Sequence, residues 1–158
     1  MAHEYKATIR WMRGADETFS DNRYGRGHTW SFDGGIEVPG SASPSVVPLP
    51  LSREDAVDPE EAFVAAVSSC HMLTFLSIAA KKRFVVDAYE DQALGIMNKN
   101  ENGKLCVSRV TLDPRIEFSG DKVPTPEQIA HMHHLAHKEC FIANSVLTEI
   151  VVAGIPSP

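Results

Sequence analysis

Three cysteines and a run of histidines are the residues of this chain whose types and spacing suit chemistry. Cys70 lies in Val67-Ser68-Ser69-Cys70-His71-Met72, Cys140 in Ala136-His137-Lys138-Glu139-Cys140-Phe141, and Cys106 in the stretch Lys104–Leu112. A cysteine reacts as its thiolate, and a buried thiol stays inert unless a cation stands beside it. Without such a partner, each cysteine reads equally well as a small apolar filler. Two thiols on elements that share one core add a further option, a reversible disulfide, provided their Cα atoms come within about 4.4–6.8 Å. Cys106 has only Lys104 and Arg109 nearby in the sequence and reads as structural.

The histidines offer a rival chemistry. His131, His133, His134 and His137 crowd one segment, and His133, His137 and Cys140 recur at i, i+4 and i+7. On a helix that spacing sets three potential zinc or copper ligands on one face, which describes a metal- or small-ligand-binding protein. A solvated histidine-rich face is the plainer reading of the same pattern. His71 follows Cys70 directly, so on a helix it points about 100° away and cannot serve as its base by direct contact.

These side chains need a scaffold, and length and composition bound it. The chain has 158 residues, 43% of them hydrophobic, and a net charge of −6. One domain spanning 1–158 is expected. An acidic balance disfavours nucleic acid or an anionic membrane as partner. Met1–Arg13 carries Glu4, Lys6 and Arg10 with no apolar run, so no signal peptide is expected and a reducing cytoplasm is the expected compartment. Ala62–Ala80 runs nineteen residues without a formal charge, yet holds Ser68, Ser69, His71, Thr74 and Ser77. It reads as a core helix and not as a membrane span.

The order of elements follows from local signals. Glu4–Trp11 and His28–Phe32 read as strands, the second stopped by Asp33-Gly34-Gly35 and answered by Ile36–Val38. Pro39–Val57, rich in Pro, Ser and Gly, reads as an ordered surface loop or edge segment. Asp58-Pro59-Glu60-Glu61 is a helix start, with a cap, a proline at the first position and two carboxylates at the positive dipole end. That helix should reach Lys81-Lys82-Arg83, and its apolar residues on nearly every side predict packing all round. Phe84–Met97 and Lys104–Phe118 flank the turn 98–103 as a long antiparallel hairpin. Thr125-Pro126-Glu127-Gln128 opens a second helix with a capping box, and Cys140 ends it. Ser145–Val152 closes the chain as a strand. The class is α+β, with two helices against antiparallel sheet.

Asp58-Pro59-Glu60-Glu61-Ala62-Phe63, then Ser69-Cys70 in a long apolar helix, then Ala136-His137-x-x-Cys140 before a final strand, together resemble the OsmC/Ohr family of peroxide reductases. The resemblance runs from about Tyr5 to Val152. It implies an OsmC-like fold, antiparallel sheets packed around two central helices, in an intertwined homodimer with a shared active site. It implies Cys70 as the peroxidatic thiol and Cys140 as the resolving one, an arginine matched by Arg26 (with Arg23 as the alternative), and Glu60 as the carboxylate that orients it. The substrate implied is an organic hydroperoxide and the other partner an external thiol or dithiol reductant. No cofactor and no metal are implied. Two positions differ from the family pattern: His71 follows the first cysteine in place of an apolar residue, and Phe141 follows the second in place of proline. Ten residues of helix put Glu60 about 15 Å along the axis from Cys70, so Glu60 cannot touch it.

Overall fold

In a computed structural model of the chain, which describes residues 2–156, both helix starts form as their sequences dictate. At the head of α1 (Pro59–Lys81), the Glu61 N–H donates to Asp58 Oδ1 at 2.8 Å, and the Asp58 N–H donates to the Glu61 carboxylate at 3.2 Å. At the head of α2 (Pro126–Glu139), the Thr125 hydroxyl accepts from the Gln128 N–H while the Gln128 side chain accepts from the Thr125 N–H. Each box satisfies donors that the first helical turn leaves without partners. By length and composition α1 is long and apolar enough to cross a membrane. It contributes instead a buried stripe, Val67, His71, Phe75 and Ala79, at a spacing of four residues.

The expectation that α1 is packed all round is not met within the chain. Only 22% of its most apolar 18-residue window is buried. Ala66, Ser69, Leu73, Ser77 and Ala80 form an exposed stripe along it, Leu73 being 61% exposed. An all-round apolar helix reports that every face wants cover, but not that one chain supplies it.

The chain divides into two compact units, one ending at Ala62 and the next beginning at Phe63. The first holds an antiparallel sheet of β1 (Ala7–Arg10), β2 (His28–Phe32) and β3 (Glu37–Gly40), in that order. Gly35, at φ +81°, takes the left-handed conformation that turns β2 into β3. Pro39–Val57 folds back onto β3: Ser41 N–H donates to Val57 O at 3.1 Å and Val57 N–H to Pro39 O at 2.9 Å. It is the ordered edge segment that its prolines suggest.

In the second unit the long hairpin forms, but each arm breaks in two. Its strands are β4 (Val85–Asp91), β5 (Leu94–Lys99), β6 (Leu105–Leu112) and β7 (Pro114–Ser119). β5 pairs with β6 and β4 with β7, antiparallel in both cases but in separate sheets. Asp91 pins the corner, accepting from the Asp113 N–H at 2.7 Å and from the Ser68 hydroxyl of α1. Pro114 then has no N–H to continue the ladder. The last strand, β8 (Glu149–Val152), is shorter than expected because Ala143–Ser145 winds into a 3-10 turn. It pairs parallel with β6, Val110 opposite Ile150, so this sheet is mixed.

Two cores result. Phe75, Ala79, Phe84, Met132 and Ala136 pack with Val86, Tyr89, Ile116 and Phe118 of the β4–β7 sheet. Val67, Val110 and Leu112 pack with Phe63, Val64 and Ile150 beside the mixed sheet. At Gly95 an added Cβ would lie 2.5 Å from Val64 Cγ2, so glycine there admits α1 to the sheet.

Candidate active site

The second unit brings the two expected cysteines together. Cys70 projects half-buried from the middle of α1, and Cys140, 1% exposed, caps the C-terminus of α2. Both are free thiols, and Cys70 is near enough to Cys140 to act on its ionisation. Burial, and then the neighbouring Cys70 side chain, push the Cys140 thiol up to about 11. The Ala143 N–H, 3.4 Å from the Cys140 sulfur, pulls weakly the other way. Cys140 therefore keeps its proton at neutral pH. Cys106 stands apart, half-buried beside a cavity of about 560 Å³ shared with Phe63, Val107 and Leu147, whose lining holds no charged residue. Its structural reading fits that setting.

His71 turns away from Cys70 as helical geometry requires, and the partner it finds is His133. Their Nε2 and Nδ1 atoms lie 2.9 Å apart, and the rings are parallel to within 10° with centroids 5.2 Å apart. The two are 1% and 2% exposed, and Phe75 stacks on His133 at 4.4 Å. Burial is the main cause that lowers both imidazoles from 6.5, His71 to about 4 and His133 to about 3, with His137 adding to the first and His71 to the second. Both rings are neutral at physiological pH. The bond ties α1 to α2.

That tie dismantles the metal-ligand face that the His133, His137 and Cys140 spacing suggested. His133 is committed to His71. Among the described residues no group of three or more His, Cys, Asp or Glu side chains is placed to hold a metal ion. Helical spacing shows which residues share a face, but not that their donor atoms converge.

In the first unit, Arg26 is the anchored arginine and Arg23 the exposed one. The Arg26 guanidinium lies 3.5 Å above the Tyr24 ring, donates to the Tyr24 carbonyl, and reaches Asn22 Oδ1 at 2.9 Å. Tyr24 is stacked on Phe19 and edge-on to Trp11. Glu17 closes this loop, its carboxylate accepting from the Gly14 and Gly25 N–H groups at 3.0 and 2.8 Å. Arg23 is held only through its backbone N–H, which donates to Asp21. Glu60 is half-buried in the first turn of α1, and among the described residues no ion pair joins it to Arg26. Two features escaped the sequence reading, the His71–His133 bond and the packing of His28 against Trp30. The second had a signal: residues 28 and 30 share one face of a strand.

The sequence pattern of a family described as OsmC-like protein matches residues 52–153. Among solved structures, an OsmC-like protein of unknown function from Vibrio cholerae is 58% identical, with a TM-score of 0.93 over 96% of this chain and 98% of that one. An organic hydroperoxide resistance protein from Elizabethkingia anophelis is 18% identical, TM-score 0.68 over 96% of each chain. The organic hydroperoxide resistance protein OhrB of Bacillus subtilis is also 18% identical, TM-score 0.67 over 95% of this chain and 96% of that one. At that identity the last two establish likeness of fold alone. A search of curated proteins finds no match.

Proposed function

The chain belongs to the OsmC-like protein family, and from that premise we propose that it is a thiol-dependent peroxidase that reduces organic hydroperoxides with Cys70 and Cys140. The observation that carries the reading is the nearness of two free thiols, one from mid-α1 and one from the end of α2. Cys140 is buried and holds its proton, which suits the resolving thiol, and the half-buried Cys70 is assigned as the nucleophile.

The chemistry balances on these two sulfurs. The Cys70 thiolate attacks the distal peroxide oxygen, the O–O bond breaks, the alkoxide takes a proton and leaves as alcohol, and Cys70 becomes a sulfenic acid. Cys140 then attacks the Cys70 sulfur; its proton leaves with the hydroxyl as water, and a disulfide forms. An external thiol or dithiol returns both cysteines to the reduced state. A thiolate at Cys70 requires a positive partner, and the Arg26 guanidinium, charged at every working pH, is assigned that part. Glu60 is assigned the carboxylate that orients the arginine when substrate binds.

The exposed Ala66, Ser69, Leu73, Ser77 and Ala80 stripe supports two further assignments. It flanks Cys70 on α1, so the alkyl group of a hydroperoxide has apolar surface to lie on. It also leaves an apolar helix face that a second copy of the chain would cover, so the working form is assigned as a homodimer with a shared site. The whole chain acts as one functional unit in a reducing compartment.

The test is peroxide consumption with cumene hydroperoxide and a dithiol. Cys70→Ser should abolish turnover, and Cys140→Ser should leave one equivalent of sulfenic acid that a dimedone probe captures. Full turnover by Cys70→Ser would end the proposal.

A further inference from the structure

His28 on β2 sits between Arg26 and Trp30 and contacts both through ring nitrogens. The Trp30 Nε1–H lies 2.6 Å from His28 Nε2, and His28 Nδ1 lies 2.8 Å from the Arg26 carbonyl oxygen. An indole nitrogen only donates, and a carbonyl oxygen only accepts. His28 Nε2 must therefore be the bare acceptor, and Nδ1 must carry the proton it donates to Arg26. The two contacts leave one consistent state, the neutral Nδ1–H tautomer.

The surroundings are shaped around this bridge. Gly40 stands opposite His28 in the β2–β3 register. A Cβ on it would lie 2.5 Å from His28 Nε2 and 2.6 Å from Trp30 Nε1, so any larger residue would occupy the bond itself. The Arg26 main chain is thereby held at both polar atoms: its N–H donates to Leu51 O at 2.7 Å, and its carbonyl accepts from His28. The direction in which an arginine side chain leaves its Cα is set by this main chain, and Arg26 is the arginine whose backbone is so fixed.

We propose that His28, locked by Trp30 as the Nδ1–H tautomer, is a positioning residue that sets the backbone from which Arg26 serves the peroxide step. The proposal rests on the assignment of Arg26 above. His28 touches no reacting atom; it acts through the Arg26 carbonyl. One hydrogen bond of this kind is worth about 1 kcal/mol net, or somewhat under a tenfold change in rate if it is felt entirely in the peroxide step.

Two measurements test it on the full-length protein. Ring 15N shifts should show His28 protonated at Nδ1 and bare at Nε2, with the lock relaxed in Trp30→Phe. Stopped-flow kinetics should separate oxidation of Cys70 by tert-butyl hydroperoxide from closure of the Cys70–Cys140 disulfide. His28→Leu should slow oxidation about five- to tenfold and Trp30→Phe about threefold, with closure unchanged within twofold. Combined with Arg26→Ala, His28→Leu should add no further slowing. A proton on Nε2, equal slowing of both steps, or full additivity with Arg26→Ala would each overturn the proposal. Should His28→Leu fail to fold, Trp30→Phe, which keeps an aromatic ring and removes the N–H donor, carries the same kinetic comparison. If Arg26→Ala leaves oxidation unchanged, the arginine assignment itself has failed and takes the positioning role with it. If Arg26→Ala slows oxidation and neither His28→Leu nor Trp30→Phe does, only the positioning role fails.

Discussion

Lowering the pH from 7 to 5 should cost this protein far more stability than its carboxylates explain, because two buried imidazoles must stay neutral in the fold. His71 and His133 are lowered to about 4 and about 3, from 6.5, chiefly by burial. The sign follows from that direction. Once unfolded, both rings gain protons as the pH drops below 6.5, while the native rings gain none until the pH approaches 4. Stability therefore falls with pH between those limits and levels off only where the native rings protonate. Between pH 7 and 5 the unfolded state gains about 2 kcal/mol for each ring, hence about 4 kcal/mol for the pair. The figure depends on the unfolded value more than the native ones, provided the latter stay below about 5. Urea unfolding at one protein concentration throughout, because self-association makes apparent stability concentration-dependent, measures it. A His71→Leu, His133→Leu double variant should lose about 4 kcal/mol less than the wild type over the same pH interval. Parallel loss in the two proteins would refute the reasoning, as would ring NMR titrations of His71 and His133 with midpoints near 6.5.

Other expectations follow from single contacts. Gly40→Ala places a methyl carbon in the His28–Trp30 bond, so it should cost about 1–3 kcal/mol in urea unfolding and shift Trp30 fluorescence. Thr125→Ala removes one half of the α2 capping box and should cost about 1 kcal/mol, with Thr125→Ser recovering most of it. Leu73→Asp puts a charge on the exposed stripe of α1 and should convert a dimer to monomers in analytical ultracentrifugation. Cys106→Ser should leave peroxide turnover within twofold of the wild type, since that thiol lies in an uncharged surrounding.

What the sequence made legible was local. Both helix caps, the bounds of α1 and the His28–Phe32 strand depend on neighbours a few residues apart and form as read, while the turn expected over 98–103 is shorter because Asn98 and Lys99 continue β5. What it hid depends on distant partners. The hairpin breaks because Asp91 reaches both Ser68 and the Asp113 N–H, contacts that no periodicity encodes. β8 lies parallel to β6 because α2 carries the chain back before it is laid down. Packing on all sides of α1 was over-read, since hydrophobic pattern reports demand for cover without saying which chain meets it. At the site, the sequence set Cys70 and Cys140 on two helices but left open whether they approach each other. The fate of the histidines was not: His133 shares a helical face with His137 and Cys140, yet its ring goes to His71.

The account turns on Cys70 and Cys140 acting as one redox pair. One equivalent of tert-butyl hydroperoxide added to the fully reduced protein, followed by thiol counting and peptide mass mapping, addresses it directly. The predicted result is loss of two thiols per chain, a peptide bridging Cys70 to Cys140, a free Cys106 and one equivalent of tert-butanol. Persistence of both thiols under excess hydroperoxide, or oxidation confined to Cys106, would contradict it.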